Sequence, residues 1–252
     1  MTEADGAPSI LVLSDSLAYY GPRGGLAADD ERIWPNIVGQ QVGRRVELFG
    51  RIGWTSRDVW WAITQDPRIW AALPHADVVV LAYGGMDSLP SPLPTALREQ
   101  IRYLRPARLR AVVREAYAWV QPRAALLGWP LALPPRITVE YVAKVRDALV
   151  QLRPDLPIVA CLPPTHASPY YGKVHRGRIP ATTAMRDWAA AHGVATVDFY
   201  PATLDEFTNH SQDMNPDGIH WGFRCHARIA EVVVPAVRTA LDRGATERHG
   251  TG

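Results

Sequence analysis

Asp77-Val78-Val79-Val80-Leu81-Ala82-Tyr83 is continuously apolar through Val78–Leu81, where a half-buried strand would alternate apolar with polar. Such a run fits a central strand covered on both faces, as strands are in parallel sheets flanked by helices. To either side, short runs of the same kind recur at Ser9–Ser14, Arg45–Phe49, Pro157–Leu162 and Val194–Phe199. Between them apolar residues return at helical spacing. Ile33, Ile37 and Val38 share a face of Arg32–Val42, and Leu97, Ile101 and Leu104 share one of Pro94–Leu104. Val142, Val145, Leu149 and Leu152 do the same in Ile137–Leu152, and Phe223–Leu241 is expected to form the C-terminal helix.

Strands alternating with helices read as an α/β protein. The expectation is a three-layer α/β/α sandwich over a five-stranded parallel sheet in the flavodoxin-like order 2-1-3-4-5. Two segments interrupt the alternation. Arg105–Pro135, rich in Arg, Trp and Pro, reads as a helical insertion with a Pro-bounded tail, and Pro163–Pro180 as a long loop. A loop of that length in a compact domain is commonly functional, here as a lid. Its His166, Tyr170, Tyr171, Lys173, His175, Arg176 and Arg178 suit either a solvated loop or a lid over a polar or anionic substrate. No linker or repeat divides the chain, so residues 1–252 are expected to form one domain, with 244–252 a frayed tail.

Composition narrows the class. The 252 residues are 47% hydrophobic and 21% charged, as in ordinary globular proteins, and 27 basic against 25 acidic residues leave a net charge of +2. That balance does not suit a protein whose main partner is nucleic acid. Only Lys144 and Lys173 of the basic residues are lysines, so arginine is a compositional habit of this chain. Cys161 and Cys225 lie far apart in apolar surroundings and read as buried free thiols, neither a disulfide framework nor a metal site. No apolar run approaches the ~18 residues of a membrane span. Met1–Ser9 carries Glu3 and Asp5 ahead of a short apolar run, so no secretory leader is expected and a cytoplasmic protein is.

In open parallel sheets, ligands bind beyond the carboxyl ends of the strands. Four polar segments fall there: Ser14-Asp15-Ser16-Leu17, Arg51-Ile52-Gly53-Trp54, Gly84-Gly85-Met86-Asp87, and Asn209–His220 with its Asp217-Gly218-Ile219-His220. Each alone has an ordinary structural reading as a turn or a cap. Together they resemble the SGNH (GDSL-like) hydrolase and acyltransferase family over nearly the whole chain. Ser14-Asp15-Ser16-Leu17 stands for the family's Gly-Asp-Ser-Leu block, Gly53 for its second-block glycine, and Asp217 with His220 for its Asp-x-x-His. The third block, Gly-x-Asn-Asp, stands as Gly84-Gly85-Met86-Asp87, so Met86 replaces an oxyanion-donating asparagine. Loss of one such donor typically costs about 2.7–4 kcal/mol of transition-state stabilisation.

The residue chemistry runs parallel to the resemblance. A serine hydroxyl needs an adjacent imidazole to take its proton, and His220 is the candidate base for Ser16. Asp217, three residues earlier, can face His220, fix its tautomer and stabilise the imidazolium. The backbone N–H groups of Ser16 and Gly53 are expected to form the oxyanion hole. Asp15, Trp54, Met86 and Asp87 are candidate substrate contacts, with Asp87 alternatively a helix cap; Met86 is expected to line an apolar acyl pocket. His226 is expected to pack on the last helix.

Longer segments resemble mycobacterial members of the family that acylate glucosylglycerates. They include Leu13–Pro22, Arg32–Val38, Arg51–Thr55, Gly85–Pro90, Tyr117–Pro122 and Asp217–Trp221. That resemblance implies octanoyl transfer from octanoyl-CoA to a diglucosylglycerate hydroxyl, in methylglucose lipopolysaccharide synthesis. It implies no metal or bound cofactor, acyl-CoA being a donor substrate. Arg98, Arg102, Arg105, Arg108, Arg110 and Arg114, against Glu99, suit either CoA phosphates or a solvated basic face. Two alternatives stay open: an esterase or thioesterase using water, and a silent domain that only binds carbohydrate or acyl chains.

Overall fold

β1 (Ser9–Asp15) is buried along its length, and its alternate side chains enter two different cores. Ile10 and Val12 join Trp34, Val78, Val80, Trp221 and Val233 on one face of the sheet. Leu11 and Leu13 join Val79, Leu81, Ile63, Val145 and Leu149 on the other. This two-sided burial is why the strands carry apolar runs without alternation. The computed structural model describes residues 7–91, 100–209 and 212–250.

The other strands of the main sheet are β4 (Arg45–Arg51), β5 (Ala76–Ala82), β6 (Ile158–Leu162) and β7 (Ala195–Asp198). They lie in the order β4-β1-β5-β6-β7, every pairing parallel. That is the expected order 2-1-3-4-5, with strand bounds within three residues of those expected. A small antiparallel pair, β2 (Tyr20–Gly21) and β3 (Gly24–Gly25), follows the first strand and was not anticipated by the alternation.

One face of the sheet is covered by α1 (Trp34–Val42) and by the C-terminal helix, which begins at Phe223. The opposite face carries α2 (Ser56–Gln65), α3 (Pro67–Ala72), a helix over Pro135–Leu152 and another over Arg178–Ala191. Apolar spacing did not reveal α2, yet its start is marked. Thr55 and Asp58 form a reciprocal capping box, each side chain satisfying the other's backbone N–H.

The expected tail and long loop differ from the structure, and one expected helix is largely outside the described residues. The tail at 244–252 is not frayed as far as it is described: the C-terminal helix runs from Phe223 to Gly250, and 251–252 lie outside the described residues. Gly244 would interrupt an exposed helix, but here it is buried, and a Cβ at 244 would meet Pro157 Cγ at 3.0 Å. Close packing onto the sheet's lower edge therefore holds the helix where propensity is weakest. Pro163–Pro180 is only in part a loop: it gives way to the helix at Arg178, and its His166 and Tyr171 are buried while Tyr170, Lys173 and Arg176 are exposed. The helix expected at Pro94–Leu104 falls largely outside the described residues, and Ile101–Tyr103 forms a single 3₁₀ turn. Within Arg105–Pro135, Ala107–Ala125 is a helix that buries only Gln121 and Ala125.

Candidate active site

The site begins where β1 ends. Asp15 is extended, and its side chain accepts a hydrogen bond from Leu17 N at 2.9 Å, which turns the chain into the 3₁₀ turn Ser16–Ala18. Ser14 anchors the same end by donating its hydroxyl to Ala82 O at 2.9 Å. Ser16 thus stands at the carboxyl edge of the sheet, between β4 and β5.

His220 reaches Ser16 from 204 residues away, its Nε2 lying 2.9 Å from Ser16 Oγ. On the opposite edge of the ring, Nδ1 lies 2.5 Å from Asp217 Oδ2. An ionised Asp217 only accepts, so Nδ1 carries the proton and Nε2 is free to receive one from Ser16. Asp217 is itself held: Oδ1 accepts from Ile219 N at 2.8 Å and from His220 N at 2.9 Å. Burial works against its ionisation, but the His220 bond and these two N–H groups outweigh it and hold the carboxyl below its usual range.

The loop around these residues is built on a turn. Asn215 accepts from Asp217 N at 3.1 Å and donates Nδ2 to Gly21 O at 2.8 Å. Gly218 has φ +68°, and a Cβ there would lie 2.8 Å from the Ala167 carbonyl group, so only glycine fits. Ala167 N donates to Gly218 O at 2.8 Å, docking the 163–177 segment on the loop that carries Asp217 and His220.

Gly53 follows β4, whose Gly50 and Arg51 pair with Ser14 and Asp15, and it takes φ +72°. This places the glycine beside the turn that carries Ser16. Met86 is half-buried and packs with Ile219 on the apolar cluster Leu89, Ala125 and Tyr171. Trp54, also half-buried, rests on the core under α2.

Two candidate substrate contacts lie buried beneath the site surface. Asp87 is wholly enclosed and accepts from Ser56 N at 2.9 Å and Ser56 Oγ at 2.5 Å; it caps α2 from below. Burial pushes its carboxyl up to about 6, against the opposing pull of Ser56. Asp15 is equally enclosed, and burial pushes it up to about 7 although Leu17 N and His220 favour its charge. Both acids hold the backbone that carries Ser16 and Met86, and neither is exposed to solvent.

Three histidines outside the loop of Asp217 and His220 make structural contacts. His226 is buried, accepting from Trp34 N at 3.1 Å through Nδ1 and so donating Nε2–H to Tyr20 O at 3.0 Å. His166 accepts from Ser168 N, and burial pushes it down to about 4. His175 Nε2 lies 2.8 Å from Ser88 Oγ, tying the 163–177 segment to the turn after β5. Three residues of the site lie outside the four short blocks: Tyr20, whose ring stacks on His220, Asn215 and His226. Only Asn215 has a local signal, the turn signature Asn215-Pro216-Asp217-Gly218. Arg105, Arg108 and Arg114 are exposed, while Arg98 and the Arg102 side chain lie outside the described residues. Among the described residues, no group of three or more His, Cys, Asp or Glu is arranged to hold a metal ion.

Residues 15–228 match the model of the GDSL-like Lipase/Acylhydrolase family. The chain is 55% identical over 233 residues to the diglucosylglycerate octanoyltransferase of Mycolicibacterium hassiacum, covering 92% of this chain and 96% of that one. It is 54% identical over 233 residues to the protein of the same name from Mycobacterium tuberculosis, covering 92% and 93%. Among solved structures, a lipase/acylhydrolase from Enterococcus faecalis shares the fold with a TM-score of 0.59 at 14% identity, covering 92% of this chain and 96% of that one. TesA does so with a TM-score of 0.57 at 17% identity, covering 92% and 99%.

Proposed function

Since the chain belongs to the GDSL-like lipase/acylhydrolase family, we propose that it is a serine-dependent acyltransferase that moves an octanoyl group from octanoyl-CoA to a hydroxyl of diglucosylglycerate. The observation that carries the chemistry is the contact chain Ser16 Oγ–His220 Nε2 at 2.9 Å and His220 Nδ1–Asp217 Oδ2 at 2.5 Å. The acyl group and the acceptor rest on the two relatives at 54–55% identity.

His220 Nε2 takes the Ser16 proton as Oγ attacks the thioester carbonyl. The tetrahedral oxyanion is received by the N–H groups of Ser16 and Gly53. Collapse expels the CoA thiolate, which leaves with the proton held on His220, and octanoyl-Ser16 remains. The acceptor hydroxyl then gives its proton to His220, attacks the ester carbonyl, and its oxygen keeps the acyl group. The proton returns from His220 to Ser16 Oγ, closing a ping-pong cycle that needs no metal and no bound cofactor. Met86, on its cluster with Ile219, is placed to pack against the alkyl chain, and Trp54 flanks the oxyanion side. An acyl-CoA donor assigns the reaction to the cytoplasm; among the described residues no helix is long and apolar enough to cross a membrane.

The test is turnover of octanoyl-CoA with and without glucosylglycerates, products identified by mass. Acceptor-dependent release of CoA with an octanoylated sugar is expected, together with a Ser16 octanoyl adduct that is lost in Ser16→Ala. Equal CoA release without sugar, yielding free octanoate, would make the protein a thioesterase. Absence of any adduct on Ser16 would leave only a binding domain.

A further inference from the structure

The catalytic imidazole is gripped along both edges, by Asp217 at Nδ1 and by Ser16 at Nε2. Two edge bonds still let a ring rock about the line that joins them. What stops that motion is a face, and the structure supplies one. The Tyr20 ring lies over His220 with centroids 4.1 Å apart and planes 29° from parallel. We propose that Tyr20 is a positioning residue for the reaction, clamping the His220 ring by stacking on its face and stabilising the imidazolium formed in each half-reaction.

The placement is determined by several independent contacts. The Tyr20 carbonyl accepts from His226 Nε2 at 3.0 Å, and the Gly21 carbonyl accepts from Asn215 Nδ2 at 2.8 Å. His226 and Asn215 lie on either side of His220 in sequence, so the strand bearing the Tyr20 ring is tied to both flanks of the loop it covers. On its other side Tyr20 pairs with Gly25, where a Cβ would meet Tyr20 Cε2 at 3.2 Å. The glycine leaves the ring its room. Tyr19 adds an edge-on contact at 5.7 Å.

The chemistry gives the stack a function. A neutral imidazole gains stacking contact from an aromatic face, and an imidazolium is in addition attracted to its negative quadrupole. The interaction is therefore stronger when His220 holds the transferred proton than in the resting enzyme, which is the condition for accelerating a step. A cation–aromatic contact of this kind predicts a rate effect of about 2- to 30-fold.

The inference rests on His220 acting as the base for Ser16, so the assay must separate the two. The burst of p-nitrophenolate from p-nitrophenyl octanoate reports formation of the acyl-enzyme and requires no acceptor sugar. Tyr20→Leu is expected to slow the burst by about 2- to 30-fold. Its KM for octanoyl-CoA should stay within about twofold of wild type, as expected when an interaction is made only in the transition state. Tyr20→Phe, which keeps the aromatic face, is expected to restore most of the rate, and Tyr20→Met provides a second face-free variant should Tyr20→Leu fold poorly. A wild-type burst in a folded Leu or Met variant overturns the proposal. So does Tyr20→Phe as impaired as Tyr20→Leu, or a loss confined to KM. Ser16→Ala read in the same assay distinguishes the premise: a burst that survives there removes the covalent mechanism, whatever Tyr20 does.

Discussion

Asp217→Asn isolates the electrostatic half of the triad with little change of shape. Asp217 accepts three hydrogen bonds: His220 Nδ1–H at Oδ2, and the Ile219 and His220 backbone N–H groups at Oδ1. An asparagine that keeps its carbonyl at the Oδ1 position retains both backbone bonds and so retains the loop. Its amide then faces Nδ1 with hydrogens, and Nδ1 must become an acceptor. The proton moves to Nε2, where Ser16 needs an acceptor 2.9 Å away, and the serine loses its base. The same substitution in a serine-protease triad lowers kcat about 10⁴-fold, or about 5.4 kcal/mol at about 1.36 kcal/mol per tenfold. The effect on stability should be far smaller. One charge-assisted hydrogen bond on a half-buried side chain is lost, worth at most about 3 kcal/mol. The measurement is single-turnover acylation by p-nitrophenyl octanoate, paired with thermal melting. A loss of less than about tenfold in a variant with native melting behaviour would show that tautomer control by Asp217 is not what activates Ser16.

Further outcomes follow from other residues. Gly218→Ala forces a Cβ to within 2.8 Å of the Ala167 backbone at φ +68°, and should cost about 1–3 kcal/mol in a melt while slowing acylation, because Asp217 and His220 lie on that turn. A variant that melts and reacts like wild type would mean that the 163–177 segment yields freely. For Met86→Asn, an asparagine restores an oxyanion donor but gives up apolar contact with a chain whose six CH₂ groups offer about 0.8 kcal/mol each. Relative rates should therefore shift toward acetyl and butyryl donors, and identical kinetics across acetyl, butyryl and octanoyl donors would place Met86 outside the site. The pH dependence of stability has opposing parts. Asp15, raised to about 7, and Asp87, raised to about 6, hold protons that the unfolded chain releases near 4, so their contribution falls as pH rises through that interval. His166 and His226, lowered to about 4 from 6.5, act in the other direction, adding stability as pH rises from 4 to 6.5. Asp15→Asn removes one falling part, so its melting temperature should climb more steeply than wild type between pH 5 and 7; parallel curves would mean that Asp15 is ionised throughout.

Much of the architecture is local enough to be read from the chain. Val78–Leu81 needs two covered faces wherever it lies, and a parallel sheet with helices on both sides supplies them. The Ser14–Leu17 block and the Asp217-x-x-His220 spacing are short patterns whose chemistry is intrinsic to the residues, so they too are legible without coordinates. Other features depend on partners far away in sequence. Asp15 and Asp87 look like candidate ligands because carboxylates usually face water; only the closing of β4, β5 and α2 around them removes that water and makes them internal caps. Gly244 marks a helix end by propensity, and the helix continues because Pro157, 87 residues earlier, packs against it. Tyr20 belongs to no periodic pattern. Its place over His220 arises from His226 and Asn215 gripping its strand, contacts spanning 206 and 194 residues. Local sequence determines which groups can do the chemistry, because propensity and reactivity belong to the residue. Burial, and the orientation of one side chain against another, come into being only when distant segments exclude water together, and tertiary structure alone decides them.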